Sequence, residues 1–291
     1  MDVKTIGVIG AGTMGRGIAY AAAFGGYRTV LEDVSSEMLV QGVEYIRQSL
    51  DEAVSRGKAT ERQRDDALAG LSTARSAEEV SRQADLLIEA VPEEMELKLE
   101  IFTLFDKFAR PGAILASNTS SLSVTELAAI TSRAEDCIGM HFFNPVPKMK
   151  LLEIVRALET SEATISTCAE VGRRMGKEVV IVRESPGFVT SRINAMIGNE
   201  AFYMLQEGIA SAADIDKALK LGLNHPMGPF ELVDLVGLDV RLSILEYLHE
   251  TLGEKYRPCP LLAQYVKAGR LGRKSGRGVY EYAADGEKKL S

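Results

Sequence analysis

Residues 5–19, TIGVIGAGTMGRGIA, run an apolar strand-like segment straight into Gly10-x-Gly12-x-x-Gly15 and on into residues of helical period. Few folds accept that order. Gly10 permits a tight turn, Gly12 lets backbone approach a pyrophosphate, Gly15 lets a helix pack closely on a strand, and the helix N-terminus offers amide protons to phosphate. A second strand-like segment, RTVLED (28–33), ends in Glu32 and Asp33, roughly 20 residues further on, where a carboxylate binds ribose hydroxyls in dinucleotide sites. Acidic groups there repel a 2′-phosphate, so NAD is the expected cofactor rather than NADP. The alternative is a glycine-rich turn with no ligand, which the strand-turn-helix context disfavours.

The pattern continues to about residue 183. Apolar runs at 5–10, 28–33, 85–91, 113–118, 137–142, 151–155 and 178–182 alternate with helical stretches that include 36–56, 94–109 and 162–175, the last closed by Gly176. Such alternation predicts βαβ units, hence an α/β, Rossmann-like, mostly parallel sheet. Residues 188–250 contain no β-type run. They offer three helix-like stretches, 188–208, 212–221 and 229–250, broken by LGLNHPMGP, where Pro226 and Pro229 cannot continue a helix. We therefore expect a nucleotide-binding domain over 1–185 and an all-α domain over 186–291, a division that suits 291 residues.

Hydrophobic residues make up 46% of the chain and charged ones 26%, enough apolar content for buried cores. The formal charge, 34 − 41 = −7, argues against a nucleic-acid partner, which needs a broad basic field. Cys137, Cys168 and Cys259 are odd in number, widely spaced and far from histidine, so neither a disulfide framework nor a metal site is expected. The N-terminus lacks the pattern of a secretory signal and no apolar run approaches a membrane span, which suggests a cytoplasmic protein with no membrane partner.

His141 is one of three histidines, and Glu153 follows it in LLEIV, an otherwise apolar run. Oxidising an alcohol with NAD requires a group to take the hydroxyl proton, and an imidazole, with an unperturbed pKa of about 6.5, suits that task. A carboxylate on its other nitrogen would fix the tautomer and stabilise the imidazolium. The two segments are separated by a short connection, so they can pair as strands. A histidine that merely packs is the competing reading. ASNTSSL (116–122) ends a strand in polar groups at the edge where α/β sheets bind ligands, and Asn118, Ser120 and Asn144 are candidate donors to a developing oxyanion. Turn formation and helix capping by Ser121 or Ser123 account for part of that cluster equally well. Glu93 and Lys98 can line the nicotinamide side of the cleft or simply form a solvated helix start. His225 and His249 have no partner that the sequence reveals.

GVIGAGTMGRGIA, ASNTSSLSVTE, GMHFFNPVPKMKLLEIV, SPGFVTSRI, LGLNHPMGP and KSGRGVYEY, taken in order, resemble the L-3-hydroxyacyl-CoA dehydrogenases, most closely their single-chain bacterial members. The resemblance implies reversible oxidation of a short-chain 3-hydroxyacyl-CoA, with His141 as acid/base, Glu153 as its partner, Ser120 on the reacting oxygen or thioester, and Asn144 near substrate and nicotinamide. It implies cofactor contacts from Gly10, Gly12, Gly15, Asp33, Glu93, Lys98 and Lys274, with Asn118 counted among them. Arg56 and Lys58 match the basic residues that hold coenzyme A. Ser191 stands where the family commonly has an active-site asparagine, which puts that position's role in doubt. The family also dimerises through its helical domain. Two alternatives stay open: a dehydrogenase of a free hydroxy acid, and an inactive nucleotide-binding relative.

Overall fold

The computed structural model describes residues 2–283 and 285–289. By internal contacts it divides into two units, Met1–Ser185 and Pro186–Ser291.

The first unit begins with β1 (Thr5–Ile9), α1 (Thr13–Phe24), β2 (Arg28–Glu32), α2 (Ser36–Ser55), α3 (Glu61–Ala69), β3 (Leu71–Thr73) and α4 (Ala77–Ser81). It continues with β4 (Leu86–Glu89), α5 (Met95–Phe108), β5 (Ile114–Ser117), α6 (Val124–Ala129), β6 (Cys137–Phe142), β7 (Leu151–Arg156), α7 (Glu162–Arg174) and β8 (Glu178–Arg183). One sheet orders the strands β3-β2-β1-β4-β5-β6-β7-β8. Every residue of β1, β4 and β5 is buried, as expected of parallel strands covered by helices on both faces. Ile6 and Val8 join a core with Ile18 and Ile46 from α1 and α2. Ile9, Leu87 and Leu115 face a separate core with Phe102 and Phe105 from α5. Polar caps set the helix starts: Ser35 accepts from Met38 N, Ser161 from Thr164 N, and Thr60 with Gln63 forms a reciprocal capping box.

The segment 61–81 departs from the sequence-based expectation by adding α3, β3 and α4. β3 is three partly exposed residues at the sheet edge and α3 buries only Ala67, so neither carries an apolar run to announce it. The pair β6–β7 is antiparallel, because the connection 143–150 is too short for a crossover.

The second unit comprises α8 (Thr190–Gln206), α9 (Ala212–Gly222), α10 (Pro229–Val236), α11 (Leu238–Leu252) and α12 (Pro260–Lys267). The single helix expected over 229–250 is two helices. Gly237 separates them with φ +110°, a backbone conformation that cannot continue a helix and that a side chain disfavours. Phe202 meets Phe230 edge-on at 5.2 Å in a core completed by Ile215, Val233, Leu245 and Leu262. The following segment is fastened to α10 by Asp234, whose buried carboxylate accepts from Val279 N (2.8 Å), Tyr280 N (2.9 Å) and the Tyr282 hydroxyl (2.8 Å). Asp216 does the same from α9, accepting from Phe230 N and the Tyr280 hydroxyl.

Asp234→Ala leaves three donors without their acceptor and is expected to destabilise the protein by about 2–4 kcal/mol. Urea unfolding followed by circular dichroism measures it, and a loss below about 1 kcal/mol means that water replaces the carboxylate.

Candidate active site

β1 lies centrally, between β2 and β4, where the strand order reverses and open α/β sheets place their ligands. Gly10 has φ +97°, and a side chain there would come within 2.7 Å of Ala90 O. A Cβ on Gly15 would sit 1.7 Å from Gly10 O, so α1 and β1 approach as closely as backbone allows. Beside Gly12, in contrast, nothing lies within 4 Å, and no side chain caps α1. The turn thus keeps open the space and the helix end that a pyrophosphate requires. Glu32 and Asp33, grouped in the sequence, separate here. Alternation along β2 buries the Glu32 side chain, and burial together with the Asp33 charge pushes its carboxyl up. Asp33 stands at the strand end, where Oδ2 accepts from Ala11 N (2.7 Å) and Oδ1 from Ser35 N (2.8 Å). These positions fit NAD.

The ends of β4 and β5 carry a charged network. Lys98 is fully buried on α5, its ammonium 2.7 Å from Glu89 Oε1 and 3.2 Å from Glu93 Oε2. Glu93 Oε1 accepts from the Thr119 hydroxyl (2.7 Å), Ser120 N (2.7 Å) and the Ser120 hydroxyl (3.1 Å). Burial works against ionisation of Glu93, but the Lys98 charge and these bonds outweigh it and hold the carboxyl below its usual range. Asn118 Oδ1 accepts from Phe142 N (3.0 Å), tying the end of β5 to β6. Ser123, rather than Ser121, caps α6.

In the β6–β7 register His141 lies directly opposite Glu153. Nδ1 is 2.7 Å from Glu153 Oε2, both side chains are buried, and the Phe143 ring packs 4.3 Å from the imidazole. The first unit therefore brings together a dinucleotide turn, a serine held by a carboxylate, and a histidine oriented by a glutamate.

The family model for the NAD binding domain of 3-hydroxyacyl-CoA dehydrogenase matches residues 5–185, and that for its C-terminal domain matches 187–282. A probable 3-hydroxybutyryl-CoA dehydrogenase of Bacillus subtilis is 48% identical over 283 residues, 97% of this chain and 98% of its own. The 3-hydroxybutyryl-CoA dehydrogenase of Bradyrhizobium diazoefficiens is 46% identical over 281 residues, 96% of each chain. The crystal structure of (S)-3-hydroxybutyryl-CoA dehydrogenase PaaH1 from Ralstonia eutropha superposes with a TM-score of 0.93 at 45% identity, over 97% of this chain and 100% of its own. The chain belongs to the 3-hydroxyacyl-CoA dehydrogenase family.

It is accordingly an NAD-dependent oxidoreductase, and among the described residues no helix is long and apolar enough to cross a membrane. Asn144 lies in the loop after β6 and is exposed. Arg56 and Lys58 line a groove with Tyr20, Ser49, Pro147 and Lys148. Ser191 and Lys274 belong to the second unit: Ser191 is in the first turn of α8, and the Lys274 ammonium lies 2.6 Å from Asp239 Oδ2. His249, which has no partner legible in the sequence, is bonded to Glu254 at 3.2 Å on the surface.

Sequence reasoning passed over Glu89, Ser117 and Lys177. Lys177 is buried and donates to Val146 O and to Met149 O (2.8 Å), holding the loop that carries Asn144. The doublet Lys177-Glu178 reads as solvated charge, and only the fold turns the lysine inward.

Burial pushes the Lys177 ammonium down to about 8. Between that value and its unfolded one the folded chain binds fewer protons than the unfolded chain. The charge therefore weakens the fold below pH 8, and the penalty fades as pH rises. The unfolding free energy of the wild type minus that of Lys177→Met should increase between about pH 7.5 and 9.5. A flat difference removes the lysine from the pH dependence.

Proposed function

We propose that the chain catalyses the reversible, NAD-dependent oxidation of a short-chain (S)-3-hydroxyacyl-CoA to the 3-ketoacyl-CoA, with 3-hydroxybutyryl-CoA as its substrate. The observation that carries this reading is the buried His141–Glu153 pair, formed across strands of the sheet that also builds the dinucleotide turn. The names of the relatives support the acyl chain length.

NAD, when bound, supplies the hydride acceptor. Everything else falls to side chains. With Nδ1 engaged by Glu153, Nε2 is the nitrogen that takes the proton from the 3-hydroxyl during oxidation and returns it during reduction. Glu153 keeps the imidazole in the tautomer with hydrogen on Nδ1 and stabilises the cation that forms. Ser120 and Asn144 meet the reacting oxygen and the thioester, and Asn118 keeps its amide nitrogen for the same region, since its oxygen is spent on Phe142 N. Asp33 receives the adenosine ribose. Glu93 lines the nicotinamide side, and Lys98, being buried, acts through Glu93 and not by direct contact. Arg56 and Lys58 take the phosphates of coenzyme A, and Lys148 adds a third cation to their groove. From the second unit, Lys274 contributes to the cofactor and Ser191 to the substrate site, where its shorter reach alters the rate or the chain-length preference.

Two further parts of the proposal rest on the second unit and on the cysteines. Leu221, Leu223, Leu235, Val236 and Val240 are large apolar side chains left exposed, which supports a homodimer built on that unit. All three cysteines are free and buried, in keeping with a reducing, cytoplasmic setting.

Loss of NADH absorbance with acetoacetyl-CoA, run beside NADPH and free acetoacetate, tests the assignment. Rapid oxidation of NADH with the thioester alone is the expected result, and activity with the free acid redirects it to hydroxy acids. His141→Gln should lower kcat roughly 10²- to 10⁴-fold with NADH affinity unchanged. A variant that keeps most of its kcat removes His141 from proton transfer.

A further inference from the structure

Glu89 ends β4 with its side chain fully buried, and neither the family resemblance nor the chemistry above gives it a task. Burial pushes its carboxyl up, while Lys98 and Ser117 draw it back toward the charged form. A buried ion pair adds little net stability, because desolvation offsets its attraction. What it does provide is fixed geometry. Glu89 Oε1 accepts from Val91 N and from Lys98 Nζ, each at 2.7 Å, and Oε2 accepts from the Ser117 hydroxyl at 2.6 Å.

Two routes lead from this carboxylate to one turn. Along the first, Lys98 bridges Glu89 and Glu93, and Glu93 Oε1 receives both the amide and the hydroxyl of Ser120. Along the second, Ser117 Oγ accepts from Thr119 N at 3.2 Å, and Thr119 Oγ1 accepts from Leu122 N at 2.9 Å. Thr119 also donates to Glu93, so the routes close on each other.

We propose that Glu89 is a positioning residue for the reaction, fixing through Lys98 and through Ser117 the turn that presents Ser120. The proposal rests on the reading that Ser120 meets the reacting oxygen. A serine hydroxyl has one proton, and its bond to Glu93 sets which way that proton points and leaves the oxygen lone pairs outward. Lys98 shares its charge between two carboxylates. With the Glu89 charge removed, the ammonium is drawn wholly to Glu93, and the Ser120 turn shifts with it.

Glu89→Gln keeps the size of the side chain and removes its charge, while Ser117→Ala cuts only the second route and preserves the ion pairs. In acetoacetyl-CoA reduction, Glu89→Gln should lower kcat roughly 10- to 100-fold, the scale of a displaced reacting group, and Ser117→Ala should lower it by a smaller factor. The Kd for NADH, read by fluorescence, should stay within about twofold, because the glycine turn and Asp33 supply that binding. The primary isotope effect on kcat with 4-deuterated NADH should grow, a change that a loss of stability alone does not cause. Should Glu89→Gln fail to fold, the signature in Ser117→Ala decides. Ser120→Ala is measured alongside. Loss of rate in Ser120→Ala alone overturns the role of Glu89 and leaves that of Ser120. Normal rates in all three variants overturn both. Weakened NADH binding at unchanged kcat makes Glu89 structural and equally overturns the proposal.

Discussion

A carboxylate inside an apolar strand is tolerated only if something meets its charge, and Glu153 in β7 is met by His141. That requirement fixes the register of the β6–β7 hairpin. A slip by one residue turns every side chain of β7 to the other face, burying Glu153 against Leu152's present neighbours and exposing Ile154. Packing enforces the same register independently. Gly139 lies opposite Val155, and a side chain at Gly139 would sit 2.7 Å from the Val155 Cβ. The dyad and the core therefore specify one another. The hairpin loop is held in turn by Lys177, whose ammonium reaches its carbonyls from the start of β8.

The first unit holds two buried carboxylates at strand ends, and their partners differ in kind. Glu89 faces a lysine and a serine hydroxyl, which together keep a fixed set of donors around it. Glu153 faces an imidazole, whose proton content changes within the physiological range. The first arrangement suits a frame and the second suits an exchange of protons. Strand order places them on β4 and β7, with β5 and β6 between, and Asn118 links the two regions by holding Phe142 N next to His141.

Much of this was legible in the sequence because it is local. The glycine turn, the fully buried strands and the polar caps each depend on a few adjacent residues. Glu153 could be noticed because its run is otherwise apolar and a single histidine precedes it. Glu89 sits in a comparable run, DLLIEAV, but its partners are a lysine nine residues on and a serine on the next strand. Neither is distinguishable from a solvated charge or a turn hydroxyl until the sheet assembles. The same holds for Glu32, where only strand alternation shows that its neighbour Asp33 has the exposed end. The break at Gly237 was missed because an isolated glycine in an apolar helical pattern is often accommodated, and its positive φ is a property of the packed unit.

In the second unit, the segment KSGRGVYEY owes its placement to carboxylates more than to its own flexibility. A side chain on Gly272 would lie 2.3 Å from Asp234 O, and one on Gly278 would lie 2.0 Å from Asp234 Oδ1. The backbone thus runs against α10 while Asp234 and Asp216 collect its amides and tyrosine hydroxyls. Lys274 is carried on this segment and paired with Asp239 at the start of α11. A cation assigned to the cofactor is therefore anchored at both backbone and charge within the helical unit. Its position follows α10 and α11, so the break between those helices at Gly237 fixes the base on which it stands.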